Sequence, residues 1–216
     1  SFEGTTVGRS STFLFAAHNL AAAVALVNTS FMLVMQHDFV LLRRFDADKL
    51  LRTMIRLPKV KHVRLNLRPN VPIGFDAALA NYTEGDVPLS RTCGWSDAPH
   101  VASTHYYTSF VIPRNRQDHC GGARKFMEES VHYGMQRVGS PSGCWALKRK
   151  LAKGAALASL AWPADFDAYG TYLYGYASAN DGSYTKHVSL RGSGGQWGDV
   201  RPLARKGRRG SCVFDR

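Results

Sequence analysis

The stretch Phe31-Met32-Leu33-Val34-Met35-Gln36-His37-Asp38 decides the reading of the fold. Five successive apolar residues without alternation predict a strand covered on both faces, as in a parallel sheet inside an α/β layer structure. The run halts at Gln36-His37-Asp38, and Phe39-Val40-Leu41-Leu42 resumes it. A carboxylate at the carboxyl end of such a strand stands where open α/β sheets bind ligands, because free backbone groups and helix N-termini converge there. Asp38 in that position can hold a divalent cation, which neutralises a diphosphate leaving group. His37 is a second ligand, a leaving-group contact or a packing residue. The plainer reading of these residues is a turn with a helix cap.

Around this stretch the elements alternate. Phe13 to Val27, rich in alanine and leucine, predicts a helix, and Asn28-Thr29-Ser30 breaks it. Asp46 is a good N-cap for a helix from Ala47 to about Arg56, which Pro58 ends. Val60 to Leu67 partly alternates and reads as a strand. Helix, strand, helix, strand is the order of an α/β fold. From Arg68 to Trp95 turn residues dominate. Tyr106 to Ile112 is apolar and β-branched and predicts a strand; Ala123 to Arg137 and Ala146 to Leu160 predict helices. Asn180 to Ser183 reads as a hairpin-like turn before a strand from Tyr184 to Leu190, and Gly192 to Gly195 as a loop. The expected organisation is one catalytic domain over residues 1–200 and a basic tail over 201–216.

Charge narrows the partners. The chain carries 28 Lys+Arg against 16 Asp+Glu, a formal net charge of +12. That balance favours nucleic acid, acidic membranes or nucleotide diphosphates. Only Arg201, Arg205, Lys206, Arg208 and Arg209 form a dense cluster, either a nucleic-acid arm or a solvated basic end. No apolar run reaches the roughly 20 residues of a membrane span, and residues 1–12 do not read as a secretory signal. Cys93, Cys120, Cys144 and Cys212 lack close metal spacing and permit two disulfides in an oxidising compartment. Asn28-Thr29-Ser30 and Asn81-Tyr82-Thr83 fit the glycosylation pattern, with Asn28, between apolar elements, the poorer acceptor.

The segment Ala16-Ala17-His18-Asn19-Leu20-Ala21-Ala22-Ala23, followed by Phe31 to Leu41, resembles the middle of the GT-A (Rossmann-like) fold of sugar-nucleotide glycosyltransferases. In that family a helix with an early Asn precedes a hydrophobic strand ending in an acidic "DxD" motif that binds metal and nucleotide diphosphate. Gln36-His37-Asp38 stands in that place with Gln where the first acid usually is, so the metal role carries over to Asp38. The resemblance implies a mixed, mostly parallel sheet flanked by helices, with an irregular acceptor-side half. Trp95-Ser96-Asp97 and Pro99 to Tyr107 look like the approach to the acceptor. Gly121-Gly122 and Phe126-Met127-Glu128-Glu129 resemble the acidic motif of inverting members, making Glu128 or Glu129 the candidate base and Asp97 the reserve. Tyr184 to Ser189 resembles the late strand whose histidine completes the metal site, here His187, with Lys186 and Arg191 over the diphosphate. Trp145, Trp162 and Tyr169 to Tyr176 supply aromatic faces for a sugar or simply a core.

The implied activity moves a sugar from a nucleotide-sugar donor, a UDP-sugar, to a hydroxyl of a glycan, protein or small molecule, with Mn²⁺ or Mg²⁺ as cofactor. Members of the family open with a strand and loop for the nucleoside base. The residues before Phe13 are too few for that element, so it is expected to be missing. Two other classes compete. One is a nucleic-acid-binding module, for which no recognition motif is present. The other is a metal-dependent hydrolase using Asp38, His37, His100, His105 and His187, for which no fixed ligand spacing is present.

Overall fold

The computed structural model describes residues 16–71, 78–82, 84–117, 127–137, 153, 166–178 and 180–188. A six-stranded mixed sheet carries the fold. Its strands are β1 (Phe31–Val34), β3 (His62–Arg64), β4 (Ala78–Tyr82), β5 (Leu89–Thr92), β6 (His100–Ser103) and β7 (Thr171–Tyr174), in the spatial order β1-β6-β3-β7-β5-β4. Two further strands, β2 (Phe39–Leu41) and β8 (Thr185–His187), form a separate antiparallel ribbon. Among the described residues the helices are α1 (Ala16–Val24), α2 (Ala47–Arg56), α3 (Thr104–Tyr106), α4 (Ile112–Gln117), α5 (Met127–Arg137) and α6 (Phe166–Tyr169).

The protein is therefore α/β, but the expectation of a mostly parallel sheet is corrected. Among the described strands only β3 and β7 pair in parallel; β1–β6, β3–β6, β5–β7 and β4–β5 are antiparallel. Nor is β1 covered on all sides. Among the described strands it lies at the edge with β6 as its one neighbour, and Leu33 is 49% exposed. The apolar run misled because Phe31 packs on the core of one face of the sheet and Met32 on that of the other. An edge strand with a layer on each face reads like a central one.

Those two faces differ in chemistry. One core joins Leu50 and Met54 of α2 to Val63, Leu65, Leu89, Val101 and Tyr172 beneath it. The opposite core joins Val24, Trp95, Tyr107, Val111, Met127 and Tyr169. Side-chain alternation along a strand sends Val101 to the first core and Ala102 to the second. The strands also bury His62, Arg64, His100, Ser90, Thr92 and Thr171. This is why β3 and β6 lack the clean alternation of a sequence-readable strand.

Helix α2 forms where expected. Its apolar positions Leu50 and Met54 are one turn apart and both buried, the Asp46 carboxylate accepts from the Lys49 N–H at 3.0 Å, and Leu57 N–H closes the end on Thr53 O. The expected strand over Tyr106 to Ile112 is corrected: α3, a π-helical segment (Tyr107–Val111) and α4 run on continuously through it. Ser103 Oγ accepts from Tyr106 N–H and starts the helix. Burying Tyr106, Tyr107 and Val111 while Thr108 and Ser109 face solvent decides its conformation over β propensity. The turn-rich span from Arg68 to Trp95 contains the hairpin β4–β5. Within the strand expected from Tyr184 to Leu190, the described part β8 does not pair with β7 as a hairpin would; it pairs with β2 instead. The elements expected at 139–143, 146–160 (residue 153 apart) and 192–195, and the basic tail, lie outside the described residues. Among the described residues no helix is long and apolar enough to cross a membrane.

Gly170 links α6 to β7 at φ +50°, and its carbonyl accepts from both Lys61 N and His62 N. A Cβ there would stand 2.5 Å from the Lys59 carbonyl oxygen. Gly170→Ala is expected to cost about 2 kcal/mol or more, because both backbone conformation and close approach forbid the methyl. Gly182→Ala, with nothing within 4 Å of the new carbon, should stay within about 0.5 kcal/mol. Urea unfolding of the two variants checks the contrast.

Candidate functional site

A cavity of about 340 Å³ opens beside the carboxyl end of β1. Helix α1 supplies Asn19, Leu20 and Ala23, which one helical turn places on a single face. Strand β1 and the residues after it supply Val34, Met35 and Gln36; the β5–β6 loop supplies Asp97, and the start of α5 supplies Met127. The walls are thus mostly apolar, with two amides and one carboxylic acid converging. Pockets that orient a small molecule have this composition.

Asp97 is the titratable group of this cavity. Burial pushes its carboxyl above the ordinary aspartate value, and the negative charge of Asp38 pushes the same way. A backbone hydrogen bond within Asp97 and one donated by the Gln36 side chain offset part of that rise. Its loop is held firmly. Pro99 O accepts from Leu65 N at 2.8 Å, Trp95 N donates to His132 Nδ1 at 3.3 Å, and Gly94 N donates to Thr92 Oγ1 at 2.9 Å. His100 adds the tightest tie. Its Nδ1 lies 2.6 Å from Ala98 O, so that nitrogen carries the proton, and its Nε2 accepts from Tyr107 Oη at 2.6 Å. Burial of the ring pushes its pKa down to about 4. His100 is neutral and fully engaged, and it orients the residue next to Asp97.

Next to the cavity, Gln36 to Phe39 form a tight turn in which Phe39 N donates to Gln36 O. The ribbon puts Phe39 opposite His187, and Val188 N donates to Asp38 O at 2.6 Å. His187 Nε2 thereby comes within 2.8 Å of Asp38 Oδ2, with both side chains about one-third exposed. The Phe39 and His187 rings stand nearly perpendicular at a centroid distance of 5.1 Å. Residues distant in sequence are thus joined by a three-residue ribbon.

Gln36, Asp38, Asp97 and His187 are therefore gathered at one end of β1. His37 is exposed beside them, and Lys186 is exposed on β8 opposite Val40. Glu128 lies half-buried in the first turn of α5, one residue from Met127, and does not line the cavity. The side chain of Glu129, together with Arg191, Trp145 and Trp162, lies outside the described residues. The hydrolase ligand set is not assembled. His100 is buried with both nitrogens used, and His105 is exposed on α3. Among the described residues no three His, Cys, Asp or Glu stand together as a metal group. Tyr172 and Tyr174 are core residues rather than stacking faces.

Sequence reasoning missed the cavity roles of Leu20, Ala23 and Met127 and ranked Asp97 below the glutamates. A signal for Asp97 was present. It is the one charged side chain between Arg91 and Arg114, counting histidine as neutral. In comparisons with known protein families, curated proteins and solved structures, nothing matches this chain.

The depressed histidine makes a signed prediction. His100 binds its proton at about pH 4 when folded, against an ordinary value of 6.5. Between those values the unfolded chain holds more protons, so stability rises with pH across that window and falls as pH drops through it. The full effect amounts to about 3 kcal/mol at pH 4, and buried His62, whose pKa is also lowered, steepens it. Urea titrations from pH 7 to pH 4 should show this slope, and His100→Gln should flatten it. At pH 7, Tyr107→Phe should cost about 1–3 kcal/mol by leaving His100 Nε2 without its donor.

Proposed function

We propose that the chain is a GT-A-like glycosyltransferase domain, transferring a sugar from a nucleotide-sugar donor to an acceptor hydroxyl in the cavity beside β1. The observation that carries this reading is the convergence of the Asp38–His187 pair, Gln36 and cavity-lining Asp97 at the end of a single strand. It rests on the likeness of the helix Asn19–Ala23 and of the strand ending in Gln36-His37-Asp38 to that family.

Asp38 and His187 fit a divalent cation as a two-residue site. One carboxylate oxygen and one imidazole nitrogen lie 2.8 Å apart and face solvent in part, and these two residues would hold the cation. Such a cation would supply charge neutralisation for a departing nucleoside diphosphate. The remaining chemistry belongs to the chain. Asp97 Oδ takes the proton of the acceptor hydroxyl as that oxygen bonds to the sugar C1. The bond from C1 to the diphosphate oxygen breaks, and the electron pair leaves with the diphosphate. The raised pKa of Asp97 brings the base closer to neutral pH, where proton transfer is better matched. Gln36 keeps the carboxylate aimed, and the apolar walls of Leu20, Val34 and Met127 limit competition from water. Here Asp97 takes the base role ahead of Glu128, because Asp97 lines the cavity and Glu128 does not.

Thermal melting with UDP tests the reading. UDP with Mn²⁺ should raise the melting temperature, and Asp38→Ala should abolish the rise. No shift with UDP, with or without Mn²⁺, would count against the reading for this chain. Asp97→Asn should keep the shift while turnover of the cognate donor and acceptor falls about 100-fold or more. For the native enzyme, kcat/KM should fall as pH drops below the raised Asp97 pKa, because the base is then protonated.

A further inference from the structure

Two glycosylation-type triplets, Asn28-Thr29-Ser30 and Asn81-Tyr82-Thr83, play no part in the candidate site. The structure changes the standing of the first. Asn28 is an exposed residue of the connection between α1 and β1, not a side chain caught between apolar elements. Thr29, between the acceptor and the serine, is exposed with its hydroxyl bonded to the backbone. Its Oγ1 donates to Phe31 O at 2.8 Å, and its carbonyl accepts from Thr104 Oγ1. Ser30 itself is exposed. Asn81 is likewise exposed, on β4 at the far edge of the sheet. Its Oδ1 accepts from Ala177 N at 2.6 Å, which uses the carbonyl end of the amide and not the nitrogen.

A second observation is independent of these triplets. Cys93 is disulfide-bonded and fully buried, a bond kept in oxidising compartments such as the secretory lumen, where asparagine glycosylation also takes place. We propose that Asn28 and Asn81 are N-glycan acceptors and that the chain matures in such a compartment. The Asn Nδ2 bonds to C1 of a lipid-diphosphate-linked oligosaccharide. The bond from C1 to the phosphate oxygen breaks, its electron pair leaves on the lipid diphosphate, and Nδ2 gives up one proton. The host's oligosaccharide transferase supplies donor and catalysis.

The placement leaves the cavity clear. From Phe31, near Asn28, to Gln36 at the cavity is about 16 Å of extended chain, and β4 lies five strand spacings from β1, roughly 24 Å. Glycans at these residues cover the start of β1 and the opposite sheet edge.

The test is expression behind a cleavable leader in a eukaryotic secretory host, followed by peptide-N-glycosidase digestion in heavy-oxygen water. Labelled aspartate is expected at 28 and 81 in peptide mass spectra. Ser30→Ala should remove the label at 28, and Thr83→Ala the label at 81, with both asparagines still in place. Asn28→Gln combined with Asn81→Gln should abolish the gel shift on digestion and keep the nucleotide-dependent melting shift. Secreted protein with oxidised Cys93 and either asparagine unlabelled overturns the assignment at that asparagine. Secreted protein with Cys93 reduced overturns the compartment.

Discussion

The buried hydrogen-bond chain from Ala98 through His100 to Tyr107 is the constraint on which the site depends. A carbonyl that can only accept forces the proton onto His100 Nδ1, and the other nitrogen then requires the tyrosine hydroxyl. One imidazole thus fixes the loop bearing Asp97 against the helical segment that follows β6. His62 packs against the same ring at a centroid distance of 4.3 Å and stacks on Trp95. Nothing in this arrangement tolerates a charged histidine, because burial holds both rings in the neutral form. Placing Asp97 therefore makes the fold sensitive to acid.

The sheet explains how such a polar layer is sustained. On one side its strands face α2 across an aliphatic and tyrosine core, an ordinary source of stability. His62, Arg64, His100 and Thr171 are also buried in its strands, and Arg64 Nη2 and His62 Nδ1 meet threonine hydroxyls. Such groups are costly to bury and gain little net energy even when paired. Their position beneath the loop that lines the cavity links the cost to positioning a carboxylate. The small ribbon β2–β8 plays the corresponding part for Asp38, because its register sets His187 opposite Phe39.

Legibility in the sequence followed from how local each cause was. Helix α2 was readable residue by residue, since Asp46, the spacing of Leu50 and Met54, and Pro58 act within the helix itself. The end of β1 was readable because the polarity change at Gln36 is abrupt. The sheet was not. Whether a five-residue apolar run lies at a centre or an edge depends on neighbours far along the chain, and the polar residues of β3 and β6 concealed their alternation. The segment from Tyr106 to Ile112 failed for a related reason. Its aromatic and β-branched composition favours a strand, while burial of Tyr106, Tyr107 and Val111 against α1 and α5 favours a helix. Asp38 and His187 could be paired only through resemblance, and the cavity lining of Leu20 and Met127 exists only once α1 and α5 have packed.

The central claim is that the end of β1 binds a metal-associated nucleoside diphosphate between Asp38 and His187, with Asp97 facing the transferred group. Anomalous scattering from Mn²⁺ in crystals grown with UDP measures this directly. The account predicts a manganese peak bonded to the Asp38 carboxylate and His187 Nε2, with the diphosphate on its other side and the cavity at Asp97 open toward it. Manganese and UDP ordered elsewhere on the molecule, with the Asp38–His187 pair still closed, would contradict it.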